Sequence, residues 1–165
     1  MRRLILGAVL VGTLFAAGFS LAGGGSAVKL TARLDAAQET PTPKSAARAA
    51  GLFTATLSGR SLTWRLTFSR LSGKALAAHI HLGRLHVAGP VAVPLCGPCA
   101  SGVHRTVTVS AKVRTALVAG TAYVNVHTAK NPAGEIRGQI AGPRGLMPSP
   151  QATTEKTTTS GGYGY

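Results

Sequence analysis

The segment Ser61–Arg70, with the sequence SLTWRLTFSR, sets the fold class of this chain. Large apolar side chains occupy every second position, and polar or charged side chains occupy the positions between them. Because successive side chains of a β-strand point to opposite faces, this period of two predicts a strand with one buried and one solvent-facing side. The preceding segment Gly51–Ser58 alternates in the same way, and the intervening Ser58-Gly59-Arg60 predicts a hairpin that joins the two strands.

Short strands continue on both sides of this hairpin, separated by turns that contain glycine and proline. The segment Ala111–Ala119 differs, because its apolar spacing is typical of a short helix, which Gly120 ends. Many short strands with one short helix predict an all-β fold, an antiparallel sandwich or barrel. The further predicted strands are Val28–Asp35, Ala75–Leu82, Gly89–Leu95, Val103–Ser110, Thr121–Thr128 and Glu135–Ala141.

The N-terminus has the pattern of an export signal. Met1-Arg2-Arg3 precedes an uncharged, largely apolar run, and small residues lie before a cleavage point after Ala22. This predicts a signal peptide over residues 1–22 and a secreted, extracellular protein. The alternative is that the segment stays uncleaved and anchors the chain to a membrane.

Composition divides the rest of the chain into three parts. Residues 23–27 form a glycine-rich spacer, and residues 28–141 carry the strand patterns of one folded β domain. Residues 142–165 consist mainly of proline, threonine, serine and glycine without apolar periodicity, so we expect a disordered tail.

The charge of the chain is strongly unbalanced, with 18 lysines and arginines against 4 aspartates and glutamates, a formal net charge of +14. So few carboxylates argue against two-metal hydrolysis and against a calcium-binding EF-hand. The basic residues are scattered and aromatic residues make up only 5% of the chain, so we expect no nucleic-acid partner. Attraction to an anionic surface, such as lipid headgroups or wall polymers, explains the positive charge better, and the alternative is that the charge serves only solubility.

Two cysteines lie close together in the sequence Cys96-Gly97-Pro98-Cys99. An exported protein folds in an oxidising environment, so we predict a Cys96–Cys99 disulfide. Redox catalysis by this tetrapeptide needs a helix that begins at the first cysteine, whereas a strand pattern follows it here. The disulfide is therefore predicted to be structural.

Three of the predicted strands each carry polar side chains on one face. Residues i and i+2 of a strand share a face, so the polar side chains of each strand point in one direction. If the three strands are neighbours, their polar faces form one surface that contains three of the five histidines. The residues of this polar face are His79, His81, Tyr123, Asn125, His127, Glu135, Arg137 and Gln139.

The histidines of this face have two interpretations. His79, His81 and His127 form a His-x-His pair with a third histidine from a neighbouring strand, which suits copper or zinc as the cofactor. The alternative is a structural network of hydrogen bonds that ties the strands together, with Asn125 and Arg137 as members.

The other polar candidates give no catalytic constellation. His86 and His104 lie outside the shared faces and are expected to be solvated, although His86 has a loop position from which it is an alternative ligand. Glu135 and Arg137 are expected to form a structural ion pair, and no nucleophile or second acid accompanies Glu135 as a general base. We therefore expect that the protein is not an enzyme.

Longer strings extend these observations to a resemblance. The strings AAHIHLGRLHVAGPVAVPL (77–95) and AYVNVHTAKNPAGEIRGQI (122–140), with the opening LDAAQETPTPKSAARAAG (34–51), resemble the CHRD domain. This module is named after chordin and is also found in exported microbial proteins. The resemblance covers about Lys29 to Ile140. It implies an immunoglobulin-like β-sandwich or barrel and an extracellular setting but no particular activity, and the link to chordin suggests protein binding. We therefore expect a non-catalytic extracellular domain that binds a protein or a matrix or wall component. A weaker similarity links the His-x-His strand to the copper site of copper/zinc superoxide dismutases, although this chain lacks their zinc-ligand loop.

Overall fold

The structure is a computed structural model that describes residues 26–44 and 46–142. The predicted signal peptide, most of the predicted spacer and nearly all of the predicted tail lie outside the described residues. In the described part of the chain, no helix has the length and apolar character needed to cross a membrane.

Among the described residues there are eight strands, which follow the alternating pattern of the sequence, and one helix. The all-β prediction is confirmed, and the strand ends differ from the predicted ones by one or two residues in most cases. The elements are β1 (Val28–Asp35), β2 (Ala50–Ser58), β3 (Ser61–Ser69), β4 (Ala75–Leu82), β5 (Val91–Cys96), β6 (Val103–Thr108), α1 (Ala111–Ala119), β7 (Ala122–Thr128) and β8 (Ile136–Gln139).

The strands form one antiparallel sheet in the order β5-β4-β7-β8-β1-β2-β3-β6, which curls into a nearly closed barrel. The sheet edges are β5 and β6, and the loop that connects them contains the predicted disulfide between Cys96 and Cys99. The short helix begins at Ser110, whose hydroxyl accepts a hydrogen bond from the backbone N–H of Val113. It ends at Gly120, whose φ of 70° is the left-handed conformation that glycine adopts without strain.

The apolar side of every long strand faces the inside of the barrel. In β3, Leu62, Trp64 and Leu66 are at most 3% exposed, while the residues between them face solvent or are half-buried. Ile80 of β4 and Val124 of β7 are fully buried in the same core. The alternation in the sequence thus places the core on the inner face of the sheet.

The outer face of the sheet has two different halves. Over β4, β7 and β8 it is covered by the loops of residues 36–49 and 83–90, and its polar side chains are buried or half-buried. Over β1, β2, β3 and β6 the outward side chains are mostly exposed. The covered half contains the candidate site.

Candidate metal centre

The pairing of β4 with β7 brings the predicted histidines together. His79 lies opposite Asn125 and His81 opposite Tyr123 in the antiparallel register, and His127 lies opposite Ala77 at the end of the same face. The side chains that share a face by parity in each strand therefore also share one surface across the two strands.

The three imidazoles converge on one another. One ligand nitrogen from each of His79, His81 and His127 lies within 4.8 Å of the others, and Nδ1 of His79 is 3.1 Å from Nε2 of His127. The ring centroids are 5.0 Å apart for His79 and His127, and 5.7 Å apart for His79 and His81. His81 is 8% exposed and the other two are half-buried, so the cluster lies just below the surface.

Backbone carbonyls of loop 83–90 and of the connection between β7 and β8 orient two of the imidazoles. Nδ1 of His81 is 2.9 Å from the carbonyl oxygen of Gly89, and Nδ1 of His127 is 3.0 Å from that of Pro132. A carbonyl only accepts, so in each ring Nδ1 carries the proton, and in the neutral ring Nε2 keeps its lone pair. Within the described residues, the buried Nε2 of His81 has no hydrogen-bond partner. A carbonyl behind a histidine with a free nitrogen in front is the usual arrangement of a metal ligand.

The surroundings of the three imidazoles favour their neutral form. Burial lowers the pKa of each below the ordinary value of 6.5. Neighbouring histidines lower it further for His79 and His127, and for His127 the hydrogen bond to Pro132 opposes the lowering. For His81, burial again lowers the pKa most, the hydrogen bond to Gly89 opposes this, and the charge of Arg137 adds to the lowering. At neutral pH the cluster therefore presents lone pairs rather than protons, as metal binding requires.

An aromatic ring and a guanidinium lie next to the cluster. The ring of Tyr123 stacks on His81 with 4.9 Å between centroids and 12° between planes, and the guanidinium carbon of Arg137 lies 3.5 Å from the centre of the tyrosine ring. Nη2 of Arg137 donates to the carbonyls of Arg84 and Val87, at 2.7 and 3.1 Å. This stack attaches the loop of residues 83–90 to the sheet.

Gln139 extends the same attachment. In β8 it pairs with Tyr123, and its Nε2 lies within hydrogen-bond distance of the carbonyls of Gly83, Gly120 and Ala122, at 2.9 to 3.0 Å. The amide thus links loop 83–90 to the start of β7.

A buried carboxyl lies beside the same face. Glu39, in the loop before β2, is 6% exposed, and its Oε2 is 3.5 Å from Nδ2 of Asn125. Burial raises its pKa from 4.5 to about 7, against the opposing charge of Arg137 and hydrogen bonds from Thr40 and Asn125. Gly134 packs directly on both side chains, because a Cβ atom there would lie 2.5 Å from Oε1 of Glu39 and 2.6 Å from Oδ1 of Asn125.

The structure corrects the prediction for Glu135. Val126 pairs with Ile136, but its carbonyl accepts the N–H of Glu135, so two residues face one, as in a β-bulge. The bulge turns the carboxylate of Glu135 to the opposite side of the sheet, where it bonds Thr128 rather than joining Arg137. The predicted strand Glu135–Ala141 is accordingly shorter, and the predicted Glu135–Arg137 ion pair is wrong.

Glu135 has its own set of donors. Its carboxylate accepts hydrogen bonds from the backbone N–H and the hydroxyl of Ser72, from the hydroxyl of Thr128 and from the side-chain amide of Asn131. Burial would raise its pKa, but the hydrogen bonds outweigh burial and hold the pKa below 4.5. Arg137 instead has Glu39 as its electrostatic partner.

Two histidines lie apart from the cluster and two site residues were missed. His86 is exposed in loop 83–90 and His104 is exposed on β6, and neither belongs to the cluster of three.

The sequence analysis did not single out Glu39 or Ser72 as site residues. Glu39 lies in the string that carries the resemblance, which was the only signal for it, and nothing in the pattern pointed to Ser72.

These observations define a nearly closed antiparallel β-barrel with a three-histidine cluster on its covered outer face. The family model of the CHRD domain matches residues 30–140, which is more than half of the chain, and the chain therefore belongs to the CHRD domain family. Comparison with curated proteins and with solved structures finds no match.

Proposed function

We propose that this protein is an exported, non-catalytic CHRD domain that binds one copper or zinc ion through His79, His81 and His127. The convergence of the three imidazoles carries the proposal, since one ligand nitrogen from each lies within 4.8 Å of the others. Export rests on the signal-peptide pattern of residues 1–22.

The spacing of the nitrogens supports ligation with a small adjustment. Nitrogens bound to one metal at 2.0–2.1 Å lie roughly 3.3–3.6 Å apart in tetrahedral or trigonal geometry. Nδ1 of His79 and Nε2 of His127 are 3.1 Å apart, which is close to this value. The limit of 4.8 Å on the distances among the three ligand nitrogens exceeds this spacing by about 1.2–1.5 Å, so the imidazoles must move together by up to about that distance to hold one ion.

The ligand chemistry favours copper over other divalent metals. Imidazole nitrogen suits copper and zinc, and for a given set of such ligands Cu²⁺ binds more tightly than Zn²⁺. The cluster contains no carboxylate or thiolate among the described residues, so magnesium and calcium lack the oxygen ligands that they need. We therefore expect the order of affinity Cu²⁺, then Zn²⁺, with Ca²⁺ and Mg²⁺ not bound.

The proposal of a non-catalytic role rests on the same surroundings. Glu135 lies across the sheet from the histidines, and the carboxyl of Glu39 is buried beneath Gly134. Neither acid is therefore placed to move a proton at a metal-bound ligand.

Metal analysis of the mature protein tests the proposal. The untagged protein is incubated with Cu²⁺ or Zn²⁺, desalted and analysed for bound metal and for the rise in melting temperature that the metal causes. A ligand whose free concentration is 100 times its dissociation constant stabilises the folded state by about 2.7 kcal/mol. We expect one equivalent of metal and a clear rise in melting temperature for the wild type.

Single substitutions separate ligation from a structural role. His79→Gln should disturb the fold least, because His79 is half-buried. We expect the metal affinity of this variant to fall by more than the roughly 10–100-fold that loss of a hydrogen-bond partner of a metal ligand costs. His86→Gln and His104→Gln are matched controls that remove an exposed histidine elsewhere. A wild type that holds no metal, or a His79→Gln variant that binds as well as the controls, overturns the proposal.

A further inference from the structure

The exposed half of the outer sheet face has a regular composition. One row of side chains runs across β1, β2, β3 and β6 and consists of Lys29, Thr56, Thr63 and Thr106. Nζ of Lys29 donates to the hydroxyl of Thr56 at 2.9 Å, and the hydroxyls of Thr63 and Thr106 are 2.9 Å apart. The row is held by its own hydrogen bonds and still offers hydroxyl and ammonium donors to solvent.

A second row of the same strands runs beside the first. It consists of Thr31, Thr54, Arg65 and His104, all of them exposed. We call the two rows together the threonine face. A groove of about 560 Å³ runs over this face.

The threonine face carries positive charge without a nearby acid. Lys29 and Arg65 lie on it, and Asp35 is the only acid among the described residues of the four strands that form it. Asp35 is six residues beyond Lys29 on β1, about 20 Å away at the rise of a strand, and its carboxylate accepts two hydrogen bonds from Gln38.

We propose that the threonine face binds a linear polyanion whose charged groups are phosphates and which carries no nucleobases, of the chemistry of polyphosphate. Lysine and arginine pair with phosphate oxygens, and threonine hydroxyls donate to them without a charge of their own. From the strand spacing, the backbones at Lys29 and Arg65 are about 12 Å apart, which leaves room for separate charged groups of one linear anion to meet the two side chains. A chain of phosphates along the groove can engage both.

Two features argue against other anionic partners. Single-stranded nucleic acids stack their bases on exposed aromatic rings, but the two rows contain no phenylalanine, tyrosine or tryptophan, and Trp64, between them on β3, is 3% exposed and packs inward against Phe53. Insertion into a lipid surface needs an apolar face, and the two rows present threonine, cations and histidine. The proposal uses no residue of the histidine cluster and is independent of metal binding.

Titration of the full chain with end-labelled linear polyphosphate, followed by fluorescence anisotropy, tests the proposal. The double variant Lys29→Gln/Arg65→Gln removes two charges from the face. Lys74→Gln/Lys112→Gln is the matched control, because both lysines are exposed away from the face and the net charge falls equally. We expect the dissociation constant of the face variant to rise at least about tenfold, the control to change less than about threefold, and the slope of log K against log salt to fall by about 2 in magnitude for the face variant only.

Competitors identify the occupant. We expect orthophosphate at equal phosphate concentration, single-stranded DNA at equal charge and anionic phosphatidylglycerol vesicles each to displace polyphosphate poorly. Equal weakening of both double variants shows attraction by net charge alone and overturns the proposal. Effective displacement by orthophosphate, DNA or vesicles overturns it as well, as does a wild type that does not bind polyphosphate. Circular dichroism and the melting temperature confirm that each variant is folded.

Discussion

Replacement of Glu39 by glutamine tests the polar interior next to the histidine cluster. The carboxyl of Glu39 is 6% exposed, and burial raises its pKa from 4.5 to about 7. Between these two pH values the folded protein holds a proton on Glu39 that the unfolded chain has lost. The free energy of unfolding therefore decreases as the pH rises through this window.

The size of the effect follows from the shift. One pKa unit corresponds to about 1.36 kcal/mol, so a rise from 4.5 to about 7 predicts a loss of about 3 kcal/mol as the pH rises through this window. The stabilising contribution of the protonated carboxyl is complete below pH 4.5 and is lost as the pH rises through 7. Glutamine resembles the protonated carboxyl and does not titrate, so the Glu39→Gln variant lacks this loss.

The assay is urea unfolding of wild type and variant at intervals from pH 4.5 to 8, monitored by the fluorescence of Trp64. The difference between the two free energies of unfolding cancels the titration of the other groups. We expect the wild type to lose stability relative to the variant by about 3 kcal/mol across the range, which makes the variant the more stable protein at pH 8 if the two are equal at pH 4.5. Parallel curves, or a difference that changes in the opposite direction, refute the raised pKa.

Four further predictions follow from single contacts. Gly134→Ala should lower the free energy of unfolding in urea by about 2–4 kcal/mol, because Gly134 has a φ of 144° and packs on two buried polar side chains. Gly59→Ala, also at positive φ but in open space, should lower it clearly less. Glu135→Gln should lower the free energy of unfolding by about 2–3 kcal/mol at pH 7 and by less in acid, because hydrogen bonds keep the pKa of Glu135 below 4.5 and the stabilisation by its carboxylate is lost as the pH falls through that lowered value. Equal losses at pH 7 and pH 3 would contradict this. Reduction of the Cys96–Cys99 disulfide should lower the free energy of unfolding by about 2 kcal/mol or less, because the closed loop is short, and a larger loss means that the loop supports the barrel. Bound metal should be retained at pH 7 and released only below the ordinary histidine pKa of 6.5, because burial lowers the pKa of all three ligands. Release of metal above pH 7 would contradict the prediction that the ligands are neutral.

Strand parity accounts for the part of the site that could be predicted. His79 and His81 share a face because they are two residues apart on β4, and Asn125 and His127 share a face on β7 for the same reason. The register then places these faces side by side. Parity works here because β4 and β7 pair regularly over the six residues Ala77 to Leu82 and their partners, with the irregularity confined to the start of β4.

Parity failed where the pairing is irregular. The prediction that Glu135 shares a face with Arg137 assumed a strand from residue 135, and the bulge beside Val126 inverted the direction of the glutamate side chain. A bulge shifts every residue before it by one position relative to the partner strand. A glycine with positive φ, here Gly134, is the local feature that permits such a turn, and it is visible in the sequence only as a glycine.

The contributions of the loops could not be predicted from pattern. The carbonyls of Gly89 and Pro132 orient His81 and His127, yet any residue has a carbonyl, so no residue type marks these positions. Glu39 reaches the face from a loop 86 positions before Asn125 in the chain, and only the folded path of that loop brings it there.

The two halves of the outer sheet face explain how so basic a chain can have two distinct surfaces. The described acids are Asp35, Glu39 and Glu135, and the last two are buried, at 6% and 0% exposed. Inside the fold, the carboxylate of Glu39 interacts with Arg137, and the carboxylate of Glu135 accepts hydrogen bonds from the donors around it. The surface therefore retains the cations with little negative charge to offset them, and the threonine face is a part of the sheet where this excess is exposed. The scarcity of acids, which in the sequence was only a net charge, thus becomes a positive field on one side of the barrel, while the neutral histidine cluster occupies the other.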